Sequence, residues 1–184
     1  MKPKFSVYMG SSLDGFIARK DGGIDWLEFD TSADSDEEDY GFAEFFATVD
    51  LLLLGRHTFE QLLTFDQWIY GDTPLTVLSN TLGPEAIPAR LQGKVSITSG
   101  TPEEILESLA EAGFQHVYVD GGITVQAFIT AGLIDEITVS VIPVLIGGGI
   151  PLFGPLEGDV SLQLVDTRSF PSGLVQLKYR TLET

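Results

Sequence analysis

Two short segments of the chain place glycine beside groups that bind anions. Gly55-Arg56-His57-Thr58 follows four consecutive leucines, and Gly121-Gly122-Ile123-Thr124-Val125 follows the run "HVYVD". Glycine lets the backbone approach a ligand closely, and the first N–H groups of a helix attract negative charge. Arg56 adds a permanent, forked positive charge that suits phosphate, and Thr58 adds a hydroxyl group.

Together the two segments predict a site for the two ends of a dinucleotide. The pyrophosphate would lie at residues 122–125 and an additional phosphate at residues 56–58. Two simpler interpretations stay open: Arg56 pairs with one of the many carboxylates, and the paired glycines form a plain turn. The segment G-x-G-x-x-G is absent after the first strand, and Gly147–Gly149 is interpreted as a flexible loop or a bulge.

An acidic run spans residues 28–41, with seven carboxylates and no basic residue. We interpret it as a solvated loop leading into a helix, because a helix N-terminus favours anions. The spacing lacks the glycine and the final glutamate of an EF-hand calcium loop, so no metal site is predicted.

The elements that must position these segments alternate between strand and helix over the first two-thirds of the chain. Strands are predicted at 5–12, 51–54, 75–79, 94–98 and "HVYVD"; helices are predicted over about 37–48, from Thr58, within "TPEEILESLAEAG" and from Ile123 to Gly132. In the third helix, Thr101 is the cap, Pro102 takes the first turn, Glu104 completes a capping box and Gly113 ends the helix.

After Gly132 the alternation of strand and helix ends, and the remaining pattern predicts strands alone. The segment "EITVSVIPVL" alternates apolar and polar residues, and residues 161–182 read as two strands joined by a turn with Pro171 and Gly173. The pattern predicts one α/β domain over residues 1–184, with a mostly parallel sheet and antiparallel strands at one edge. Ligands bind such sheets at the carboxyl ends of the strands, where both glycine segments fall.

Composition restricts the function classes. The 184 residues include no cysteine, which excludes a disulfide scaffold and thiolate metal sites, and the net charge of −17 argues against nucleic-acid binding. No apolar run is long enough to cross a membrane, and the N-terminus lacks the apolar segment of a signal peptide. A soluble, cytoplasmic protein is therefore expected.

An ordered set of motifs resembles the dihydrofolate reductase-like superfamily. The segments are "SLDGFIARKDGGIDWL", "LLLLGRHTFE", "TVLSN", "VYVDGGITVQAFI" and "VIPVLIGGGIPLFG", and they span nearly the whole chain. Within the superfamily the chain is most similar to the C-terminal reductase domain of the bacterial riboflavin-biosynthesis deaminase–reductase. The resemblance implies a three-layer, single-domain fold.

The resemblance also implies NADPH as the cofactor. Gly55, Arg56, His57 and Thr58 would bind the 2′-phosphate, Leu78, Ser79 and Asn80 would line the adenine, and Gly121, Gly122, Ile123, Thr124 and Val125 would hold the pyrophosphate. A cis Gly121–Gly122 peptide bond would be compatible with this family. Gly10, Ile17 and Ala18 would contact the nicotinamide, and the loop 18–26, ending at Trp26, would form a mobile flap.

For the substrate, the resemblance points to a pyrimidine or pterin ring. Asp39 falls where folate reductases place a catalytic carboxylate, with Ser140 as its hydroxyl partner, and Trp26, Phe42 and Phe45 would form aromatic walls. Asp39 is the expected general acid, with the flap and a trapped water as the alternatives. Asp14 is expected to fix the turn of the flap through backbone hydrogen bonds instead of doing chemistry.

The expected activity is that of a 5-amino-6-(5-phosphoribosylamino)uracil reductase in riboflavin biosynthesis. Dihydrofolate reductase is the alternative, although the chain has no Lys or Arg between Arg56 and Arg90 to bind a glutamate tail. A ribose phosphate would also need a cation, for which the candidates are Arg19, Lys20, Arg90, Arg168 and Lys178. A third possibility is an NADPH-binding sensor or interaction protein without turnover. A homodimer that pairs through the C-terminal strands is also expected.

Overall fold

The protein, described here by a computed structural model for residues 1–35 and 38–182, has the α/β fold that the sequence predicts. It combines a mostly parallel eight-stranded sheet with antiparallel C-terminal strands. The strands are β1 (Lys4–Ser12), β2 (Phe16–Ala18), β3 (Leu51–Gly55), β4 (Leu75–Leu78), β5 (Val95–Thr98), β6 (His116–Asp120), β7 (Glu136–Ile142), β8 (Ile150–Pro151), β9 (Leu162–Ser169) and β10 (Val175–Thr181). The α-helices are α1 (Phe42–Phe46), α2 (Arg56–Leu62), α3 (Pro102–Ala112) and α4 (Gly122–Thr130).

The chain divides into two compact units. Unit 1 comprises Met1–Phe5 and Thr48–Leu133, and unit 2 comprises Ser6–Ala47 and Ile134–Thr184. Across the described residues, none of the helices combines the length and the apolar character needed to cross a membrane.

Unit 1 contains four parallel strands in the order β5-β4-β3-β6. The four leucines of β3 are at most 1% exposed, which confirms a strand buried on both faces. Leu52 lies opposite Leu75 on one side and Tyr118 on the other, so β3 and β6 are neighbours whose carboxyl ends meet at the same edge.

The helix α3 of unit 1 begins as its sequence predicts. The Thr101 hydroxyl accepts the N–H of Glu104, and the Glu104 carboxylate accepts the N–H of Thr101. Gly113 follows the last turn with a left-handed φ of 87°, which ends the helix without strain.

Unit 2 contains the order β1-β7-β10-β9. The first pair is parallel, whereas β10 runs antiparallel to both β7 and β9. The short strands β2 and β8 form a separate antiparallel pair.

The helix predicted over about 37–48 is much shorter in the structure, where α1 covers only Phe42–Phe46. Tyr40 has φ 58° and Gly41 has φ 84°, and a right-handed helix cannot run through two left-handed residues. Residue 37, at the predicted start, lies outside the described part of the chain.

Candidate cofactor and substrate sites

The two glycine segments adjoin each other in unit 1. A Cβ atom added to Gly121 would lie 3.9 Å from the backbone nitrogen of Gly55 and would collide with the Thr58 hydroxyl. Similarly, a Cβ atom added to Gly55 would lie only 2.8 Å from Oγ1 of Thr124. Each helix therefore packs a threonine against the glycine that precedes the other helix, and only glycine fits either position.

Neither of these two helices carries a side-chain cap. The N-cap residues of α2 and α4 are Gly55 and Gly121, which have no side chain that could accept the first N–H groups of the helix. This contrasts with α3, which has a complete capping box. Backbone donors at an uncapped helix start are suited to phosphate oxygens, so the arrangement at α4 fits a pyrophosphate.

A charged cluster lies on α2 at the same edge. Nη2 of Arg56 is 3.3 Å from Nε2 of His57, and the Glu60 carboxylate lies 3.9 Å from Nη1 of Arg56 and 3.5 Å from Nδ1 of His57. The side chains of Arg56 and His57 are 40% and 71% exposed, so both groups are accessible to a phosphate. Glu60 would compete with that phosphate for Arg56.

The residues expected at the adenine lie at the end of β4 in unit 1. Leu78 is half-buried and Asn80 is exposed. The Ser79 hydroxyl accepts the N–H groups of Thr81 and Leu82, so it forms a local turn. Contact of these residues with a nucleotide stays a prediction.

The expectation of a cis bond between Gly121 and Gly122 is wrong: none of the peptide bonds among the described residues is cis. Gly121 instead turns the chain from β6 into α4 with φ 90° and ψ 137°. That combination is accessible to glycine without the steric cost that other residues would meet.

Asp120, the last residue of β6, is a functional candidate to which the sequence assigned no role. Its carboxylate accepts the N–H of Gly121 at 2.7 Å. Burial raises the pKa of Asp120 to about 6, and the hydrogen bond from Gly121 opposes that rise only in part. Tyr70 lies in the same environment, where burial and the charge of Asp120 raise its own pKa. A polar residue between an apolar strand and a glycine pair was the signal that could have identified Asp120.

In unit 2, Gln176 is the centre of a buried polar network that sequence reasoning missed. Its Nε2 donates to the Tyr8 hydroxyl, the Tyr40 carbonyl and the Ser140 hydroxyl at 2.9–3.0 Å. The Tyr8 ring stacks on Phe45 at 4.7 Å and meets the edge of Phe42 at 5.7 Å. Ser140, Phe42 and Phe45 are thus linked through a glutamine and a tyrosine, and their contact with a substrate stays a prediction.

Asp39 does not join Ser140, so the predicted partnership is wrong. The Asp39 carboxylate instead accepts the N–H groups of Ala43 and Gly41, both at 2.8 Å, at the start of α1. These hydrogen bonds hold the pKa of Asp39 below its ordinary value. The residue is therefore ionised at neutral pH and carries no proton to donate. A direct catalytic role for Asp39 stays a prediction, and the contacts it makes are those of a helix cap.

Trp26 is 6% exposed and packs with Ile142 and Leu174 in a hydrophobic cluster of unit 2. Its indole Nε1 is buried and has no hydrogen-bond partner among the described residues. The residue therefore anchors the end of the 18–26 loop. Within that loop, Arg19 holds Asp25 through two hydrogen bonds of 2.7 and 2.8 Å.

The residues expected at the nicotinamide also lie in unit 2. Ile17 and Ala18 belong to β2, and Gly10 lies on β1, where a Cβ atom would meet Leu27 at 3.0 Å. Ile17 and Gly10 are half-buried, whereas Ala18 is buried. Contact of these residues with a cofactor stays a prediction.

Several of the cations considered for a substrate phosphate already have carboxylate partners in unit 2. Arg19 pairs with Asp25, Arg168 with Asp166 at 3.2 Å, and Lys178 with Glu136 at 2.7 Å. These pairs weaken the case for a strongly anionic substrate, because a phosphate would have to compete with each carboxylate.

Known proteins resemble the chain over its whole length. The Bacillus subtilis (strain 168) protein YwjB, which is itself uncharacterized, is 34% identical over 183 residues, covering 97% of this chain and 98% of YwjB. A crystal structure from Shewanella sp. PV-4, whose name assigns it provisionally to riboflavin biosynthesis, is 37% identical with a TM-score of 0.89 and full coverage of both chains.

The fold extends to more distant enzymes. Dihydrofolate reductase from Enterococcus faecalis, solved with NADP(H), shares the fold at a TM-score of 0.68, with 16% identity and coverage of 98% of this chain and 97% of that one. The family described as the RibD C-terminal domain matches residues 3–176. Membership of this family supports a reductase role. The chain belongs to the RibD C-terminal domain family and has a dihydrofolate reductase-like fold.

Proposed function

We propose that the protein is an NADPH-dependent reductase that transfers a hydride to a small pyrimidine- or pterin-like substrate. The observation that carries the proposal is the pair of adjoining, uncapped helix starts at Gly55 and Gly121, with the exposed Arg56 beside them. A dinucleotide with a pyrophosphate and an additional phosphate matches this set of donors.

When bound, the cofactor would supply the hydride, while the protein orients the reactants and supplies the proton. The N–H groups at the start of α4 would hold the pyrophosphate, and Arg56 would select the 2′-phosphate. Of the two acidic candidates, only Asp120 has a raised pKa, about 6, so a fraction of it stays protonated near neutral pH and we take it as the candidate proton donor. Asp39, with its lowered pKa, would serve to fix α1.

Reduction of 5-amino-6-(5-phosphoribosylamino)uracil is the leading candidate activity, on the family and on the Shewanella relative. The ion pairs that occupy Arg19, Arg168 and Lys178 favour a second candidate, a related heterocycle without a phosphate group. Dihydrofolate is disfavoured, since no Lys or Arg occurs between Arg56 and Arg90 to bind its glutamate.

Calorimetry with NADPH and NADH tests the cofactor assignment before any substrate is known. Loss of a charge-assisted hydrogen bond costs about 1.5–3 kcal/mol, so Arg56→Ala should weaken NADPH binding about 10- to 100-fold and leave NADH binding nearly unchanged. Arg90→Ala is the matched control, because it removes the same charge from an exposed position of the same unit. Failure of the wild-type protein to bind either nucleotide would refute the proposal.

Oxidation of bound NADPH then separates an enzyme from a binding protein. The phosphoribosylamino-pyrimidine, its dephosphorylated form and dihydrofolate are offered in single-turnover mixtures. Oxidation with one of them identifies the substrate class. Tight NADPH binding without oxidation by any of the three favours a sensor or interaction protein.

We also propose that a second copy of the chain covers β9. This edge strand is exposed at every residue, including Leu162, Leu164 and Val165 at 39–51% exposure. Exposed apolar edge strands invite pairing with another strand. Two β9 strands paired antiparallel about a two-fold axis at Thr167 would set Asp166 opposite Arg168 of the second copy. The strand therefore complements its own charges, as an isologous interface requires.

A further inference from the structure

The glycine loop, defined as residues 146–149, is held by one carboxylate that is distant in sequence. Asp14 accepts the N–H of Gly147 at 2.7 Å and the N–H of Ile146 at 3.2 Å. All of these residues belong to unit 2. The sequence interpretation of Gly147–Gly149 as a loop is confirmed, and the loop has a specific anchor.

Asp14 is itself fixed in place by its neighbours. The Ser12 hydroxyl donates to Asp14 at 2.6 Å and accepts the N–H of Phe16 at 3.0 Å. Backbone hydrogen bonds from Leu13 to Val144 and from Leu152 to Gly15, both 2.9 Å, join the same two segments on either side. Asp14 therefore accepts backbone N–H groups as expected, but they belong to the glycine loop and not to the turn of the flap.

The glycine loop in turn limits where β2 can lie. A Cβ atom at Gly149 would collide with the carbonyl group of Ala18, so the loop backbone packs directly on β2. The strand pairing continues this contact, because Ala18 lies opposite Ile150. Ile17 and Ala18, expected at the nicotinamide, are thus located by the position of the glycine loop.

We propose that Asp14 is a positioning residue that sets the nicotinamide end of the cofactor site through the glycine loop and β2. This inference rests on the proposed function, because Ile17 and Ala18 must contact the nicotinamide ring. The hydrogen bond from Ser12, aided by those from the loop, holds the pKa of Asp14 below its ordinary value. The carboxylate is therefore charged at neutral pH and forms charge-assisted hydrogen bonds with the loop.

Asp14→Asn tests the proposal, because the amide keeps the shape of the side chain and loses the charge. The dissociation constants of NADPH and of 2′-phospho-ADP-ribose, which lacks the nicotinamide ring, are measured side by side. Weakening of two charge-assisted hydrogen bonds should raise the constant for NADPH about 10-fold and leave the constant for the fragment unchanged. Asp30→Asn is the matched control, because the hydrogen bonds that lower the pKa of Asp30 come from Ser32, only two residues away.

Equal weakening of both ligands would show a general structural defect and overturn the proposal, as would no change in either. Hydrogen exchange supplies a readout that needs no ligand. The Asp14→Asn protein should exchange the amides of Ile146 and Gly147 faster, together with those of β2. Unchanged exchange in β2 would refute the coupling even if the wild-type protein binds no nucleotide, an outcome that would separately refute the proposed function.

Discussion

Replacing Asp120 with asparagine should stabilise the folded protein at neutral pH and remove the proposed proton donor. Burial raises the pKa of Asp120 from 3.8 to about 6. Because the folded state holds this proton more tightly than the unfolded state, folding is penalised once the solution pH ionises the group. Asparagine keeps an oxygen that can accept the N–H of Gly121 and carries no charge to desolvate.

The size of the effect follows from the two pKa values. The difference between 3.8 and about 6, at about 1.4 kcal/mol for each pKa unit, corresponds to about 3 kcal/mol. Below pH 3.8 both states are protonated, so the variant and the wild type should be equally stable. The advantage of the variant should grow between the two pKa values and reach its full size above pH 6.

Urea unfolding at a series of pH values measures this difference. Asp39→Asn is a control of opposite sign, because the pKa of Asp39 is lowered by hydrogen bonds to backbone N–H groups. The Asp39 variant should be less stable than the wild type above the ordinary pKa of aspartate, and the loss should disappear as the pH falls through the lowered value. A pH-independent difference for Asp120→Asn, or a loss of stability at pH 7, would refute the reasoning.

The same Asp120 variant should lose turnover while it gains stability. Removal of a general acid typically slows a reaction by about 10²- to 10⁴-fold. NADPH binding should persist, since the start of α4 is unchanged. Wild-type activity in the Asp120→Asn protein would exclude Asp120 as the proton donor.

Three further substitutions test the roles of Glu60, Leu164 and Gln176. Glu60→Gln should tighten NADPH binding about 2- to 5-fold, measured by calorimetry, because the carboxylate no longer competes for Arg56. Weaker NADPH binding by the variant would contradict that competition. Leu164→Lys should convert a dimer to a monomer in sedimentation equilibrium. Leu145→Lys should not, because Leu145 is 68% exposed but lies outside β9. A monomeric wild-type protein would refute the interface. Gln176→Leu should cost about 1–3 kcal/mol in urea unfolding, because buried hydroxyl and carbonyl groups lose their donor, and a neutral result would show that other donors replace it.

Local signals were sufficient to predict much of unit 1. Four adjacent leucines leave no polar face, so β3 had to be buried on both sides, and Thr101 with Glu104 marked the start of α3. The glycine segments were also predictable as strand-to-helix corners. Their reciprocal packing through Thr58 and Thr124 was not, because it depends on the sheet order that makes β3 and β6 neighbours.

The parts that could not be predicted depend on contacts between distant residues. Gln176 is 168 positions away from Tyr8, and the alternation of apolar and polar residues in the final strands does not predict a hydrogen bond between them. The short α1 has a different cause. Apolar spacing favoured a longer helix, yet the left-handed backbone at Tyr40 and Gly41 delays its start until Phe42.

Asp39 and Asp120 show why residue type and spacing alone could not compare the two acids. Each carboxylate accepts N–H groups close to itself in sequence, so local hydrogen bonding does not separate them. Asp39 is exposed and accepts two such groups, which favours the charged form, whereas Asp120 accepts one and is desolvated, which favours the neutral form. Burial is decided by the tertiary fold, and it is burial that raises the pKa of Asp120 at the end of β6 to about 6. The pH at which Asp120 releases its proton therefore reports on the packing at the end of β6 as much as on the chemistry of the carboxyl group itself.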